Sequence, residues 1–170
     1  MKNHQDIITP QQGFTIIELL IGMAIMTIIM GAMYGVFVSS SKSQQFNFDA
    51  TANTQDGRQI IMNISNEVKN ATQISSPLAG SVTTTMNYQK NNVLSNWTIS
   101  LGTGIHANTI IITDPAGNIT QRMGIGRTQS LQFIRDSVIP RKITVNLTLR
   151  NSARTDAPST TVSTIIYTLN

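Results

Sequence analysis

Glu18 is the residue whose type and setting most clearly require a chemical explanation. It is the only charged side chain in the apolar run from Phe14 to Val38. A carboxylate in such a run is costly to bury and usually has a function, such as pairing with a cation. The structural alternative is that Glu18, near the start of the run, reaches polar headgroups. The residues around Glu18 decide between charge pairing and contact with headgroups.

Other residues able to do chemistry are sparse. The chain has no cysteine, which excludes disulfides, thiolate metal sites and cysteine nucleophiles. His106 is the only histidine after residue 13, so neither a His/Cys zinc site nor a Ser–His–Asp triad can be argued. Asp114 and Asn118 are typical of a turn rather than of a calcium site. We therefore predict no catalytic residue, no metal site and no cofactor.

Basic residues concentrate in the second half of the chain. The formal net charge of the whole chain is +4. If they shared one face they could contact an anion such as DNA, although Phe133 is the only aromatic residue among them. The alternative is a soluble surface of ordinary charge. The candidate anion-binding residues are Arg122, Arg127, Arg135, Arg141, Lys142, Arg150 and Arg154.

The element that must position Glu18 is the apolar run itself. As a helix, residues 14–38 would extend about 37 Å, which exceeds a hydrocarbon core of about 30 Å. The run is too long for the apolar part of a secretory signal, and no small-x-small cleavage site follows it. Residues 1–13 are polar and contain Pro10, which disfavours a helix. We predict a leader over 1–13 and a membrane-spanning helix over 14–38.

The junction Gly13-Phe-Thr-Ile-Ile-Glu18-Leu-Leu-Ile resembles the N-terminal signature of type IV pilins and type II secretion pseudopilins. Gly, Phe, Thr and Glu stand at the family spacing, directly before the apolar block. The resemblance implies that prepilin peptidase cuts between Gly13 and Phe14 and methylates Phe14. It also implies that Glu18 is the family glutamate. The mature chain would have 170 − 13 = 157 residues.

Cleavage would create a partner for Glu18. The new ammonium of Phe14 could pair with Glu18 of an adjacent subunit inside an apolar filament core, and such a pair sets register more than it adds stability. Gly31 and Gly35 form a GxxxG match that allows close helix approach, although helix flexibility explains them equally well. The partners implied are prepilin peptidase, other pilins or pseudopilins, an inner-membrane assembly platform and membrane lipid, with DNA a further candidate.

The helix is predicted to continue beyond the membrane as an amphipathic segment over 39–75. Apolar residues at steps of three and four form one stripe, and Ser75–Gly80 carries the signals that end a helix. The stripe is expected to pack on a sheet. Its members are Gly57, Ile60, Ile61, Ile64, Val68 and Ala71.

Residues 76–170 are predicted to form a β-rich exported domain. Ile143–Leu149 alternates strictly between apolar and polar residues, Asp114–Asn118 has the composition of a turn, and Asn151–Ser159 that of a hairpin loop. The fold class predicted is α+β and pilin-like, with the long N-terminal helix packed on an antiparallel sheet. The predicted strands are Val82–Tyr88, Trp97–Leu101, Thr109–Thr113, Ile119–Met123, Ser130–Arg135, Lys142–Arg150 and Val162–Leu169.

The functional hypothesis is a minor pilin or minor pseudopilin. Thr54–Ala71 resembles the second helical part of PilW-type minor pilins and of the J-type minor pseudopilin. Such a subunit would prime, cap or modulate assembly of a type IV pilus or a type II secretion pseudopilus. Two alternatives remain: a filament-borne module for adhesion or DNA uptake, and an unrelated single-pass membrane protein. The expected location is the inner membrane, with a cytoplasmic leader and a periplasmic or extracellular C-terminal domain, and then the filament.

Overall fold

The computed structural model describes residues 13–90, 95–151 and 157–168, and this part of the chain forms one long helix and nine strands. Residues 1–12 of the predicted leader, and Arg154, lie outside the described residues. The chain divides into two units, Met1–Gln44 and Gln45–Asn170. The elements are α1 (Ile16–Lys69), β1 (Ala71–Ser76), β2 (Val82–Thr83), β3 (Thr85–Lys90), β4 (Asn96–Leu101), a short 3-10 helix (Gly104–His106), β5 (Ile110–Thr113), β6 (Ile119–Met123), β7 (Thr128–Arg135), β8 (Lys142–Arg150) and β9 (Ser159–Tyr167).

The first unit contains the apolar part of α1. Every residue from Gly13 to Phe37 is exposed, and the most apolar 18-residue window of α1 has a mean hydropathy of 2.3. The hydroxyl of Thr27 donates a hydrogen bond to the Met23 carbonyl (2.8 Å), so this polar group is satisfied within the helix. The helix is therefore long and apolar enough to cross a membrane.

In the second unit, the predicted stripe of α1 is the face that packs on the sheets. Gly57, Ile60, Ile61, Ile64 and Val68 are all buried, as the spacing predicts. Polar residues occupy the other faces of the same helical segment. The stripe is confirmed as the apolar face that fixes α1 to the domain.

The predicted end of the helix was wrong. Helix α1 ends at Lys69 rather than within Ser75–Gly80, so the amphipathic segment does not extend to residue 75. Residues 71–76 form β1, which pairs antiparallel with β3. Ala71 and Ile74 are buried three residues apart, a spacing that continues the helical stripe by coincidence. Backbone pairing with a distant strand therefore overrides the local periodicity.

The α+β class is confirmed, but the strands form two antiparallel sheets rather than one. The first sheet has the order β1-β3-β4-β5-β6 and the second the order β2-β7-β8-β9. The predicted strand Val82–Tyr88 divides at Thr84, so that β2 belongs to the second sheet and β3 to the first. A pattern of alternating residues cannot show that a chain changes sheets within one run.

Both sheets contribute to one hydrophobic core beneath α1. The largest side chains with no exposed surface include Ile64 of the helix, Tyr88 of the first sheet and Phe133 of the second. The alternating strand β8 buries every second residue between Ile143 and Leu149, which confirms the pattern seen in its sequence. The core thus fixes the second unit around the C-terminal part of α1.

Candidate functional site

The start of α1 is closed by reciprocal hydrogen bonds between Thr15 and Glu18. The Thr15 backbone N–H and hydroxyl donate to Oε2 of Glu18 at 2.9 and 3.0 Å, and the Glu18 backbone N–H donates to the Thr15 hydroxyl at 3.3 Å. This arrangement is a capping box, in which two backbone N–H groups at the helix end find side-chain partners. It fixes both the start of the helix and the direction of the Glu18 side chain.

The cap leaves the bond between Gly13 and Phe14 outside the helix. Gly13, Phe14 and Thr15 have no regular secondary structure, and α1 begins at Ile16. The Phe14 side chain is 89% exposed. The predicted cleavage site is therefore an accessible, non-helical dipeptide next to a well-defined helix end.

The surface around Glu18 is apolar. A shallow depression in the first unit is lined by Phe14, Glu18, Leu19, Gly22 and Met23, together with Met26. Oε1 of Glu18 accepts no hydrogen bond within the described residues. One carboxylate oxygen therefore serves the cap, and the other is available to a donor that approaches along the apolar face.

Gly31 and Gly35 lie on an open part of the helix. A Cβ atom added at either position would meet nothing within 4 Å. No described residue therefore packs against these two glycines. Close approach of another helix at this point stays a prediction.

Comparison with known families matches residues 8–34 to the prokaryotic N-terminal methylation motif. This is the prepilin-type motif of type IV pilins and pseudopilins. The chain carries the prepilin-type motif. No curated protein and no solved structure matches the chain. The match covers the junction between the predicted leader and the helix, and most of the apolar run. Residues 35–170 lie outside the match.

The motif carries three general consequences for the pilin-like chain. It indicates a structural protein, it implies processing by prepilin peptidase, and it implies association with other pilins. The apolar start of α1 fits anchoring in a membrane and association with a pilus.

The basic residues considered for anion binding are divided between distant places. Because β7 and β8 pair antiparallel, Arg127 and Arg150 lie at one end of the pair, whereas Arg135, Arg141 and Lys142 lie at the other. A strand of this length extends about 25 Å. The two groups therefore do not form one compact patch.

Arg135 is engaged by backbone carbonyl groups. Its Nε donates to the Pro140 carbonyl at 2.7 Å, and its Nη1 donates to the carbonyls of Ile74 and Pro77 at 3.1 and 3.2 Å. The guanidinium thus connects the end of β1 to the loop between β7 and β8. Its position is explained by structure, without an anionic ligand.

Two other cations are held by carboxylates. Arg127 forms an ion pair with Asp56 of α1 at 2.6 Å, and Lys142 pairs with Asp136 at 3.2 Å. Arg122 lies on β6 in the other sheet and is exposed. DNA contact by these residues stays a prediction.

The turn at Asp114 has the structure expected for it. Oδ1 of Asp114 accepts the backbone N–H groups of Ala116 and Asn118 at 3.0 and 2.7 Å, and Oδ2 accepts the Asn118 side-chain amide at 3.1 Å. The Asn118 side chain, and then its backbone N–H, hold the pKa of Asp114 below its ordinary value. The carboxylate is thus used by the turn itself.

Sequence reasoning missed two features of the polar framework. Thr15 is part of the family signature, and the pattern Thr-x-x-Glu before an apolar run is also the signal of a capping box. A second cluster joins Glu67 of α1 to Tyr88 and Lys90 of β3. Lys90 also lies over Trp97, with its Nζ 4.3 Å from the ring centroid. No spacing in the sequence brings these four residues together.

Proposed function

We propose that this chain is a minor pilin or minor pseudopilin that is processed at Gly13–Phe14 and incorporated into a type IV pilus or a type II secretion pseudopilus. Its role there is to prime, cap or modulate filament assembly. Residues 1–13 are the leader, 14–38 the membrane and assembly helix, and the residues after 38 form the exported part. The capped helix start, with one carboxylate in an apolar surface, is the observation that supports the proposal most strongly.

The geometry suggests how the processed end is used. Cleavage gives Phe14 an ammonium group one residue before the cap. Oε2 of Glu18 is occupied by Thr15, whereas Oε1 remains available to the Phe14 ammonium of a neighbouring subunit. A charge-assisted hydrogen bond of this kind is stronger than a neutral one, and a buried charge without a partner is costly. The pair would therefore favour one axial offset between adjacent helices.

The proposal includes a membrane arrangement for the same segment. The leader would be cytoplasmic, where prepilin peptidase and the assembly platform act, and the β-rich domain would be periplasmic or extracellular. Gly31 and Gly35 would lie against a neighbouring helix, since they leave an open surface on α1. Support for a minor subunit comes from the resemblance of Thr54–Ala71 to PilW-type and J-type subunits.

N-terminal mass spectrometry of the protein extracted from membranes tests the proposal. The expected result is a chain that begins with N-methylated Phe14. Cells without an active prepilin peptidase provide the control and should yield the chain that begins at Met1. Retention of residues 1–13 in cells with an active peptidase would contradict the proposal.

A further inference from the structure

One end of the second sheet carries a cluster of exposed apolar side chains. Val138 is 85% exposed, Leu78 70% and Tyr167 57%, on a unit whose surface is otherwise rich in Ser, Thr, Asn and Gln. Contiguous exposed apolar surface with polar surroundings usually marks an interaction site. We name this cluster the end patch. It consists of Leu78, Val82, Val138, Ile139, Ile165 and Tyr167.

Strand register places part of the end patch in one row across the sheet. Val82 of β2 lies opposite Ile134 of β7, Ile134 lies opposite Thr144 of β8, and Thr144 lies opposite Ile165 of β9. Side chains at paired positions point to the same face of a sheet. The row therefore places Val82, Ile134 and Ile165 on one face of the sheet, with Thr144 of β8 between Ile134 and Ile165.

Two loops complete the end patch. The Gly80 N–H donates to the Arg135 carbonyl at 2.9 Å, and the Arg135 N–H donates to the Ser81 carbonyl at 3.2 Å, which holds the loop of Leu78 against the end of β7. The Lys142 N–H donates to the Ile139 carbonyl at 2.8 Å, which holds the second loop at the start of β8. The exposed residues of both loops are thus fixed next to the row.

Strand β9 offers an unprotected edge beside the end patch. It is the outer strand of the second sheet, and no strand pairs with its other side in the described ranges. Its nine residues, Ser-Thr-Thr-Val-Ser-Thr-Ile-Ile-Tyr, include no charge and no proline, and its pairing with β8 has no bulge. Exposed edges in monomeric proteins are usually blunted by such features. This edge is suited to pair with another strand.

The charge beside this edge is positive. Arg141 is exposed, and its guanidinium has no hydrogen-bond or ion-pair partner among the residues that the structure describes. Its backbone carbonyl accepts the Thr168 N–H at 3.0 Å, directly after β9. Lys142 is balanced by Asp136. A partner that reaches this end would therefore be favoured by an acidic residue opposite Arg141.

We propose that the outer edge of β9, together with Ile165 and Tyr167 of the end patch, binds one extended segment of another protein. The segment pairs with the outer edge of β9, sets apolar side chains against Ile165 and Tyr167, and carries an acidic residue near Arg141. A strand edge recognises a polypeptide backbone, which neither a bilayer nor DNA supplies. A second copy of β9 fits less well, because β9 has no acidic residue to meet Arg141. The inference does not depend on processing at Gly13.

Photo-crosslinking in the full-length chain tests this surface. Tyr167 is replaced by p-benzoylphenylalanine, the cells are irradiated, and the adduct is identified by mass spectrometry. The expected adduct joins Tyr167 to an extended segment of a different protein, with an Asp or Glu close in its sequence. An adduct with lipid, with nucleic acid or with a second copy of this chain, or the absence of an adduct, would overturn the proposal.

Two variants and a matched control make the result specific. Ile165→Lys and Arg141→Glu should each lower the adduct yield about tenfold. Ile165→Lys places a charge on the edge strand, and Arg141→Glu reverses the charge beside that strand. Ile105→Lys introduces the same side chain at a position that is 96% exposed in the short 3-10 helix between β4 and β5, and should leave the yield unchanged. Equal losses in Ile165→Lys and Ile105→Lys would overturn the proposal. Arg141→Glu alters only an exposed loop residue, so it remains informative if Ile165→Lys fails to fold.

Discussion

Gly57 of α1 faces Val162 of β9 so closely that a Cβ atom added to Gly57 would lie 2.8 Å from Val162 Cγ2 and 3.3 Å from Leu149 Cδ1. Both neighbours belong to the second sheet, and Gly57 is buried between its α1 neighbours Asn53 and Ile60. The distance between helix and sheet at this point is therefore set by the absence of a side chain. The β-branched Val162 has little rotational freedom with which to make room.

Gly57→Ala should destabilise the second unit. Overpacking of this kind costs about 1–3 kcal/mol, and the better helix propensity of alanine offsets about 1 kcal/mol of it. Urea unfolding of the full chain in detergent, followed by the fluorescence of Trp97, the single tryptophan, measures the difference. Gly57→Ala combined with Val162→Ala removes the clash and should recover part of the loss. A higher midpoint for Gly57→Ala than for the wild type would show that the close approach is not limiting.

The Tyr88 hydroxyl should make the domain lose stability at high pH. Burial, and then the neighbouring Glu67 carboxylate, raise the pKa of Tyr88 above its ordinary value, and the hydroxyl donates to Glu67 at 3.1 Å. In the unfolded chain the tyrosine ionises near its ordinary pKa of about 10. Above that pH the folded state holds a proton that the unfolded state releases, so stability falls by about 1.4 kcal/mol per pH unit.

Tyr88→Phe is the control for this pH effect. The variant should be less stable by about 1 kcal/mol at neutral pH, because Glu67 loses one hydrogen bond. Its stability between pH 10 and 11 should fall less steeply than that of the wild type, as measured by urea unfolding with circular dichroism at each pH. Parallel curves for the two proteins would contradict the assignment.

Gly13→Val should prevent maturation. A β-branched side chain at the residue before the scissile bond is expected to exclude the chain from the peptidase, so the form that begins at Met1 accumulates in the membrane. The mass of the extracted protein distinguishes the two forms. Gly22→Ala is the matched control, because a Cβ atom at Gly22 meets nothing within 4 Å, and it should mature normally. Normal maturation of Gly13→Val would remove the proposed cleavage site.

Thr15 variants should weaken the helix cap without changing the charge of Glu18. Thr15→Val removes the hydroxyl that accepts the Glu18 N–H, and loss of such a cap costs about 0.5–2 kcal/mol. Amide hydrogen exchange at the first turn of α1, measured by NMR in micelles, should become about tenfold faster for a cost near the middle of that range. Thr15→Ser keeps the hydroxyl and should exchange at the wild-type rate. Unchanged exchange in Thr15→Val would show that the hydroxyl does not hold the helix start.

Glu18→Gln should affect assembly rather than processing. The amide keeps an acceptor for the Thr15 N–H but cannot neutralise the Phe14 ammonium of a neighbour. We expect a normally cut and methylated chain whose amount in sheared filaments falls about tenfold. Glu67→Gln changes the same residue type in the second unit, and should leave filament incorporation less affected. Full incorporation of Glu18→Gln would contradict the proposed pairing.

The parts of this protein that could be read from its sequence are those whose physics is local. Gly13, Phe14 and Glu18 stand within six residues, and the stripe from Gly57 to Val68 lies on one helix face. Both patterns are complete within a single segment. The α+β class could be predicted because the helical spacing of apolar residues before residue 72 gives way to alternating, strand-like patterns after Gly80.

The features that could not be predicted depend on partners far along the chain. Asp56 and Arg127 are 71 residues apart, and neither position indicates the other. The strand β1 and the change of sheet at Thr84 are decided by pairing with β3 and β7, which no local pattern reports. Among the described candidate anion-binding residues, Arg127 and Arg150 lie at one end of the β7–β8 pair and Arg135, Arg141 and Lys142 at the other, because the length of the paired strands separates the two ends.

The cap formed by Thr15 and Glu18 has a consequence for the order of events in maturation. Both residues lie on the product side of the bond between Gly13 and Phe14, and no atom of the leader takes part in their three hydrogen bonds. If the peptidase cuts at the proposed bond, the helix start would be complete beforehand and would need no rearrangement afterwards. Cleavage would alter the electrical charge of this end while leaving its shape intact, so a pool of folded precursors could be released for assembly without waiting for a folding step.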